Sequence, residues 1–362
     1  MKKITRLILI ALALILSLII FTLPSKVPIP KPIIAEMPSL EIITTNLDNP
    51  RSMAFSDTKI YIAEKNGNIK TIQTDTFVEK TLTSINVYDT FNGGLLGLAT
   101  HPNFIKNHYV YAYYTYDNNG VLWNKVIRIT DHDDEYVDEM TILDKIPGSK
   151  FNNGGVIKFG PDDKLYISTG ILSNSSKFPQ DLNSLEGKIL RLNYDGTIPS
   201  DNPFSNSAIF SYGHRNPQGM SWDYQGNFFA SELGDINNDE INLIKAGQNY
   251  GWPIQECFNN DNNDHFVVPL MCYDPGIEPG GILTYNTDVG PNLIISSLRN
   301  GSLYNLKIDQ NKLHSQQTML SGIGRIRDIG IGHDDYIYMI TSNTDGKGFP
   351  SRNDDKLIRF KK

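Results

Sequence analysis

Six short runs rich in β-branched and aromatic residues recur along the chain, and they predict an all-β fold, a six-bladed β-propeller. The runs are Lys59–Ala63, Tyr109–Tyr113, Lys164–Ser168, Asn227–Ser231, Asn292–Ser296 and Tyr336–Ile340. Two companions repeat with them. An apolar strand and a turn precede most copies, as in Phe159-Gly160-Pro161-Asp162-Asp163 and Ile331-Gly332-His333-Asp334-Asp335. An apolar–basic–apolar strand follows most, as in Val126-Ile127-Arg128-Ile129, Ile189-Leu190-Arg191-Leu192 and Leu357-Ile358-Arg359-Phe360. The copies lie roughly 40 to 65 residues apart, which suits units of three or four strands. One such sheet cannot bury both faces alone, whereas radial packing lets each blade cover its neighbour. A sandwich would need fewer strands, and a barrel would not repeat in this way.

The blades are expected over 41–75, 92–131, 150–196, 208–247, 280–308 and 322–361, with 248–280 as a long excursion over one face. Ahead of them stand two other segments. Residues 1–23 begin with a basic cap, Lys2, Lys3 and Arg6, followed by 17 uncharged residues from Leu7 to Leu23. Such a stretch reads as a transmembrane helix acting as an anchor, or as a signal segment, with the positive end kept in the cytoplasm and the rest exported. Residues 24–39 carry Pro24, Pro28, Pro30, Pro32 and Pro38, a spacing that favours a stiff extended linker. The propeller then occupies 40–362, and its expected address is extracytoplasmic, tethered to the membrane or secreted.

The net charge of −7 argues against a nucleic-acid partner, which calls for a basic surface. Cys257 and Cys272 are the only cysteines and flank a polar Asn/Asp-rich loop. An exported chain permits a disulfide between them; two free buried thiols are the alternative.

Several loop segments carry chemistry. Arg325 and Arg327 alternate about Ile326, so on a strand both guanidiniums share a face and suit a polyanion with carboxylates. A solvated or salt-bridged pair would look the same. Asp239 and Glu240, near the Gly234-Asp235 turn, offer hard oxygen ligands of the kind calcium takes, or form an ordinary acidic turn. Arg215-Asn216-Pro217 sets a cation and an amide beside a rigid turn.

Taken together, these segments resemble the soluble glucose/sorbosone dehydrogenases, six-bladed propellers that use pyrroloquinoline quinone (PQQ) and Ca²⁺. The stretch from Tyr212 to Pro253 carries most of the likeness, supported by Leu185-Glu186-Gly187-Lys188-Ile189-Leu190-Arg191-Leu192 and Asp201-Asn202-Pro203-Phe204. The resemblance implies that Arg325, Arg327 and Arg299 hold the cofactor's carboxylates. It implies that Arg215 and Asn216 stand near the reacting carbonyl, with Arg215 polarising the quinone. Calcium would sit on the main-chain carbonyls of Gly234-Asp235, with Asp239 and Glu240 just after.

One departure concerns the reaction itself. The family's proton-accepting histidine falls on Asn152, and the acidic residue that orients it falls on Ile171. An amide does not take up a proton near neutral pH, and a general base contributes roughly 10²–10⁴ in rate. Two readings follow: a dehydrogenase acting on a sugar or other alcohol, or a non-catalytic propeller binding a glycan or protein partner.

Overall fold

The computed structural model describes residues 38–174, 176–257, 265–287, 290–310 and 312–361. The expected membrane or signal segment, and the linker up to residue 37, lie outside the described residues. Among the described residues no helix is long and apolar enough to cross a membrane.

The described chain forms six four-stranded antiparallel sheets. Their inner strands are Pro50–Phe55, Leu95–Thr100, Gly154–Phe159, Pro217–Trp222, Pro279–Thr287 and Ile326–Ile331, and neighbouring inner strands touch all the way round an axis. The buried apolar residues divide into six clusters, each shared by two adjacent blades. Between the third and fourth blades, for instance, Tyr166 and Ile189 pack on Met220, Phe228 and Ala230. The core is therefore interblade, as a sheet with two apolar faces requires.

Closure corrects the expected blade boundaries. Leu40–Thr44 does not open the first blade; it pairs with Leu357–Lys361 as the outermost strand of the sixth. Leu40 faces Phe360, and Glu41 faces Arg359 across a 2.7 Å ion pair. The outer strands were the other omission. Glu79–Ser84 and Lys312–Leu320 are largely polar and exposed, so no apolar run announces them. Ile209–Tyr212 closes the third blade instead of starting the fourth, and Met271–Tyr273, within the expected excursion, is the fourth blade's outer strand.

A second regularity positions the site. Every inner strand slips register just after its first residue, between Pro50 and Ser52, Leu95 and Gly97, Gly154 and Ile157, Pro217 and Gly219, Pro279 and Ile282, and Ile326 and Asp328. Each slip is a one-residue β-bulge, a device that re-aims a side chain. The extra residues include Arg51, Leu96, Gln218 and Arg327, at one level around the axis.

Candidate functional site

At the end of the propeller where the inner strands begin, loops and bulges enclose a pocket of about 170 Å³. Six cationic side chains line it: Arg51, Arg215, Arg299, Arg325, Arg327 and Lys347. Three carboxylates do so as well, Asp239, Glu278 and Asp345. In a protein with a net charge of −7 this is a concentrated surplus of positive charge.

The arginine pair converges, though not by simple strand alternation. Arg325 precedes the strand and Arg327 is its bulge residue. Both reach Asp345, Arg325 Nε at 2.9 Å and Arg327 Nη2 at 3.4 Å. Arg325 also binds Glu278 at 3.0 Å, and Arg299 lies 3.5 Å from the same carboxylate. Burial would raise Glu278 and Asp345, but Lys347, through its charge on the first and its main-chain N–H on the second, and then the neighbouring guanidiniums hold both below the usual carboxylate range. Arg327 Nε is buried without a partner among the described residues, and burial pushes this guanidinium down to about 10.

On the opposite wall, Arg215 is 7 % exposed and tightly held. Its Nη1 donates to the Leu233 carbonyl at 3.0 Å, and its Nη2 to Asn174 Oδ1 at 3.1 Å and Asp235 Oδ1 at 3.3 Å. Its guanidinium lies 5.3 Å from the Trp252 ring centre. Beneath it, Glu232 Oε1 accepts the main-chain N–H groups of both Arg215 and Asn216. The other oxygen lies 3.0 Å from His214 Nδ1, and His214 Nε2 is 2.8 Å from Ser211 Oγ. Asn216 Oδ1 in turn accepts the Gly154 N–H at 2.9 Å, tying the fourth blade to the third. His214 is therefore a buried strut, fully enclosed and stacked on Tyr250 at 4.5 Å.

Asn152 lines the same pocket in a left-handed conformation, φ 55°. Gly170 packs so closely on its carbonyl that a Cβ there would lie 1.6 Å from the oxygen. Ile171 is buried outside the pocket lining.

The expected metal ligands separate. Gly234 and Asp239 line the pocket, whereas Asp235 and Glu240 do not. Asp239 spends its carboxylate on the main-chain N–H groups of Gly234 at 3.0 Å and Glu278 at 2.8 Å. Successive side chains on a strand face opposite ways, and Glu240 points into the body, where its carboxylate accepts from Cys257 N and from Asn242 Nδ2 at 3.1 Å. Burial, followed by the Glu232 carboxylate across the strand pair, pushes Glu240 up to about 8. Among the described residues no three His, Cys, Asp or Glu side chains cluster to hold a metal. Cys272 faces Glu240 across the sheet and is joined to Cys257, with Cα atoms 5.6 Å apart.

Arg51, Glu278, Asp345 and Lys347 escaped the sequence reading. Arg51 had a signal. Asn49-Pro50-Arg51 repeats Asn216-Pro217-Gln218 one propeller half away, so aligning the blades on each other places Arg51 at the position of Gln218 and Arg327. The two acids are counter-ions chosen by loop packing, and no local pattern marks them.

The fold and the cation-lined axial pocket define a six-bladed propeller with a concave basic site, and comparison with known proteins narrows the class. The Glucose / Sorbosone dehydrogenase family model matches residues 47–358, and the chain belongs to this family. The aldose sugar dehydrogenase YliI of Escherichia coli is 28% identical over 85% of this chain and 91% of its own length. Quinoprotein glucose dehydrogenase B of Acinetobacter calcoaceticus is 34% identical over 61% of this chain, and the match spans 54% of that protein. The PQQ-bound aldose sugar dehydrogenase of Streptomyces coelicolor superposes with a TM-score of 0.80 at 31% identity, covering 89% of this chain and 98% of that one.

Proposed function

We propose that this chain binds PQQ in the axial pocket and, with it, oxidises a hydroxyl of a sugar or related alcohol at a rate limited by the amide at Asn152. The observation that carries the first half is the charge of the lining. Six cations against three carboxylates leave a surplus of three, which matches a tricarboxylate. The orphaned Arg327 Nε adds a buried donor in want of an acceptor.

In this reading Arg299, Arg325, Arg327 and Arg51 hold the carboxylates, as charge-assisted bonds do best where the donors are already fixed. Asn216, pinned to Gly154, would offer its amide to the bound cofactor. Bound there, PQQ supplies an ortho-quinone that accepts hydride. Arg215 cannot swing away, because Leu233, Asn174 and Asp235 restrain it. It therefore presents a fixed cation where an oxygen gains negative charge. Calcium, if taken up, would rest on the main-chain carbonyls of Gly234 and Asp235, since Asp239 is committed to main-chain donors and Glu240 faces away. Asn152 can orient a substrate hydroxyl by hydrogen bonding, but its amide holds no basic lone pair for the proton.

Asn152 with Ile171 supports a second reading, a propeller that retains the pocket for recognition of a glycan or protein ligand and performs no turnover. One experiment separates the two. The full-length chain is incubated with PQQ and Ca²⁺, binding is followed by the quinone absorbance, and dye reduction is measured with a panel of sugars. Saturable binding that weakens by about 10–100-fold in Arg327→Met supports the cofactor pocket, a loss in keeping with one charged hydrogen-bonding group. Binding with sugar-dependent dye reduction supports the dehydrogenase. Binding without reduction favours recognition, and absence of PQQ binding overturns the cofactor reading.

A further inference from the structure

Beneath the pocket the axial channel leads into a second chamber of about 30 Å³. The two spaces share Arg51, Gly154, Gln218 and Arg327, so the bulge residues form the floor of one and the roof of the other. The chamber's own charged groups are Lys158 and Asp328. Lys158 lies on the third inner strand, four residues in from Gly154, or about 13 Å along an extended chain. It is too deep to serve Asn152.

The charges in this chamber do not balance. The side chains of Lys158 and Arg51 make no hydrogen bond or ion pair among the described residues, although Asp328 acts on Lys158 and Asp345 on Arg51 through space. Arg327 adds its orphaned Nε to the same region. Arg327 is shared with Asp345 through its Nη2 at 3.4 Å, and the chamber's own acid is Asp328, whose oxygens accept the main-chain N–H groups of Met53 and Ile329, each at 2.9 Å. Burial lowers Lys158 and Arg51 and raises Asp328, the direction that partial removal from solvent produces, with all three side chains half-buried along the channel. Unpaired charge held away from bulk water is costly, and a counter-ion removes that cost.

We propose that the chamber is a binding site for a small inorganic monoanion of the size of chloride, held by Lys158 from below and by Arg51 and Arg327 from above. The dimensions set the class. A water needs roughly 10–15 Å³ of such space, so this chamber takes one halide or a pair of waters and excludes a bulky anion. Leu96, Val156 and Ile157 complete the wall with apolar surface, which suits a weakly hydrated halide better than a strongly hydrated sulfate. Because Arg51 and Arg327 also line the upper pocket, an anion below would draw on the same two guanidiniums that a carboxylate above would use.

The test of this site needs no PQQ. Thermal unfolding of the full-length chain, kept in mild detergent, is followed while chloride replaces gluconate at constant ionic strength. The expected result is a saturable rise in Tm with chloride and with bromide, and an apparent Kd at least tenfold weaker in Lys158→Met. The same halide response in wild type and Lys158→Met would overturn the proposal. Should that variant fail to fold, bromide-soaked crystals of the wild-type protein decide the matter. Anomalous density between Lys158 and Arg51 supports the site; bromide found only on the outer surface overturns it.

Discussion

Glu232 lies 3.0 Å from His214 Nδ1 and, through its other oxygen, fastens the main-chain N–H groups of Arg215 and Asn216. A single buried carboxylate thus sets the backbone on which the pocket's arginine and amide stand. Replacing it by Gln conserves shape but removes the charge from three hydrogen bonds. Glu232→Gln is expected to lower the unfolding free energy by about 2–3 kcal/mol, the usual loss for charged buried hydrogen bonds, as read by denaturant melts. PQQ binding should weaken with it. Unchanged stability would show that the neutral amide holds the junction equally well.

Asn152 lines the pocket at the position where the family resemblance implies a proton acceptor. In protein loaded with PQQ, Asn152→His should raise sugar-dependent dye reduction by about 10²-fold, the lower end of what a general base contributes. The gain should appear as pH rises through about 6.5, where an unperturbed imidazole gives up its proton. A flat response would place the reacting hydroxyl elsewhere in the pocket.

The Cys257–Cys272 bridge spans a separation of 15 residues and borders Glu240 from both sides, through Cys257 N and the cross-strand Cys272. Reduction, or Cys257→Ser with Cys272→Ser, is expected to cost about 3 kcal/mol from loop-closure entropy. Denaturant melts with and without reductant measure this directly. If the double variant is as stable as the oxidised parent, the loop is held by its packing alone.

Lys188 donates to the carbonyls of Phe178, Pro179 and Glu186 at 2.9, 3.0 and 2.6 Å, and burial pushes its ammonium down to about 7. Its ordinary value is near 10.4, so between pH 7 and 10 the unfolded chain binds more protons than the folded one at this position. Stability must then rise with pH across that window. The wild-type protein should show this slope in chemical denaturation, and Lys188→Met should flatten it whatever its effect on absolute stability. Equal slopes would mean that the three carbonyls keep Lys188 charged throughout.

The fold was legible in sequence wherever a strand is buried on both faces. Lys59–Glu64, Leu165–Thr169 and Tyr336–Thr341 are almost entirely buried, and their apolar runs set the count of six. Outer strands such as Lys312–Leu320 gain their order from pairing with an inner neighbour, and their polar sequence carries little trace of it. Arg215, Asn216, Arg299, Arg325 and Arg327 were nominated from sequence, and all five line one pocket.

What the amino-acid order determined by itself was the repeat and the family likeness, because each is a matter of residue type at a recurring position. What only tertiary structure decided was the charge state of the channel. Arg51 and Arg327 are far apart in sequence, as are Glu278, Asp345 and Lys158. Closing the ring through Leu40–Thr44 and Leu357–Lys361 brings six bulges to one axis. That closure turns scattered charges into a cation-rich pocket and, sharing Arg51 and Arg327 with it, a chamber lined by Lys158 and Asp328.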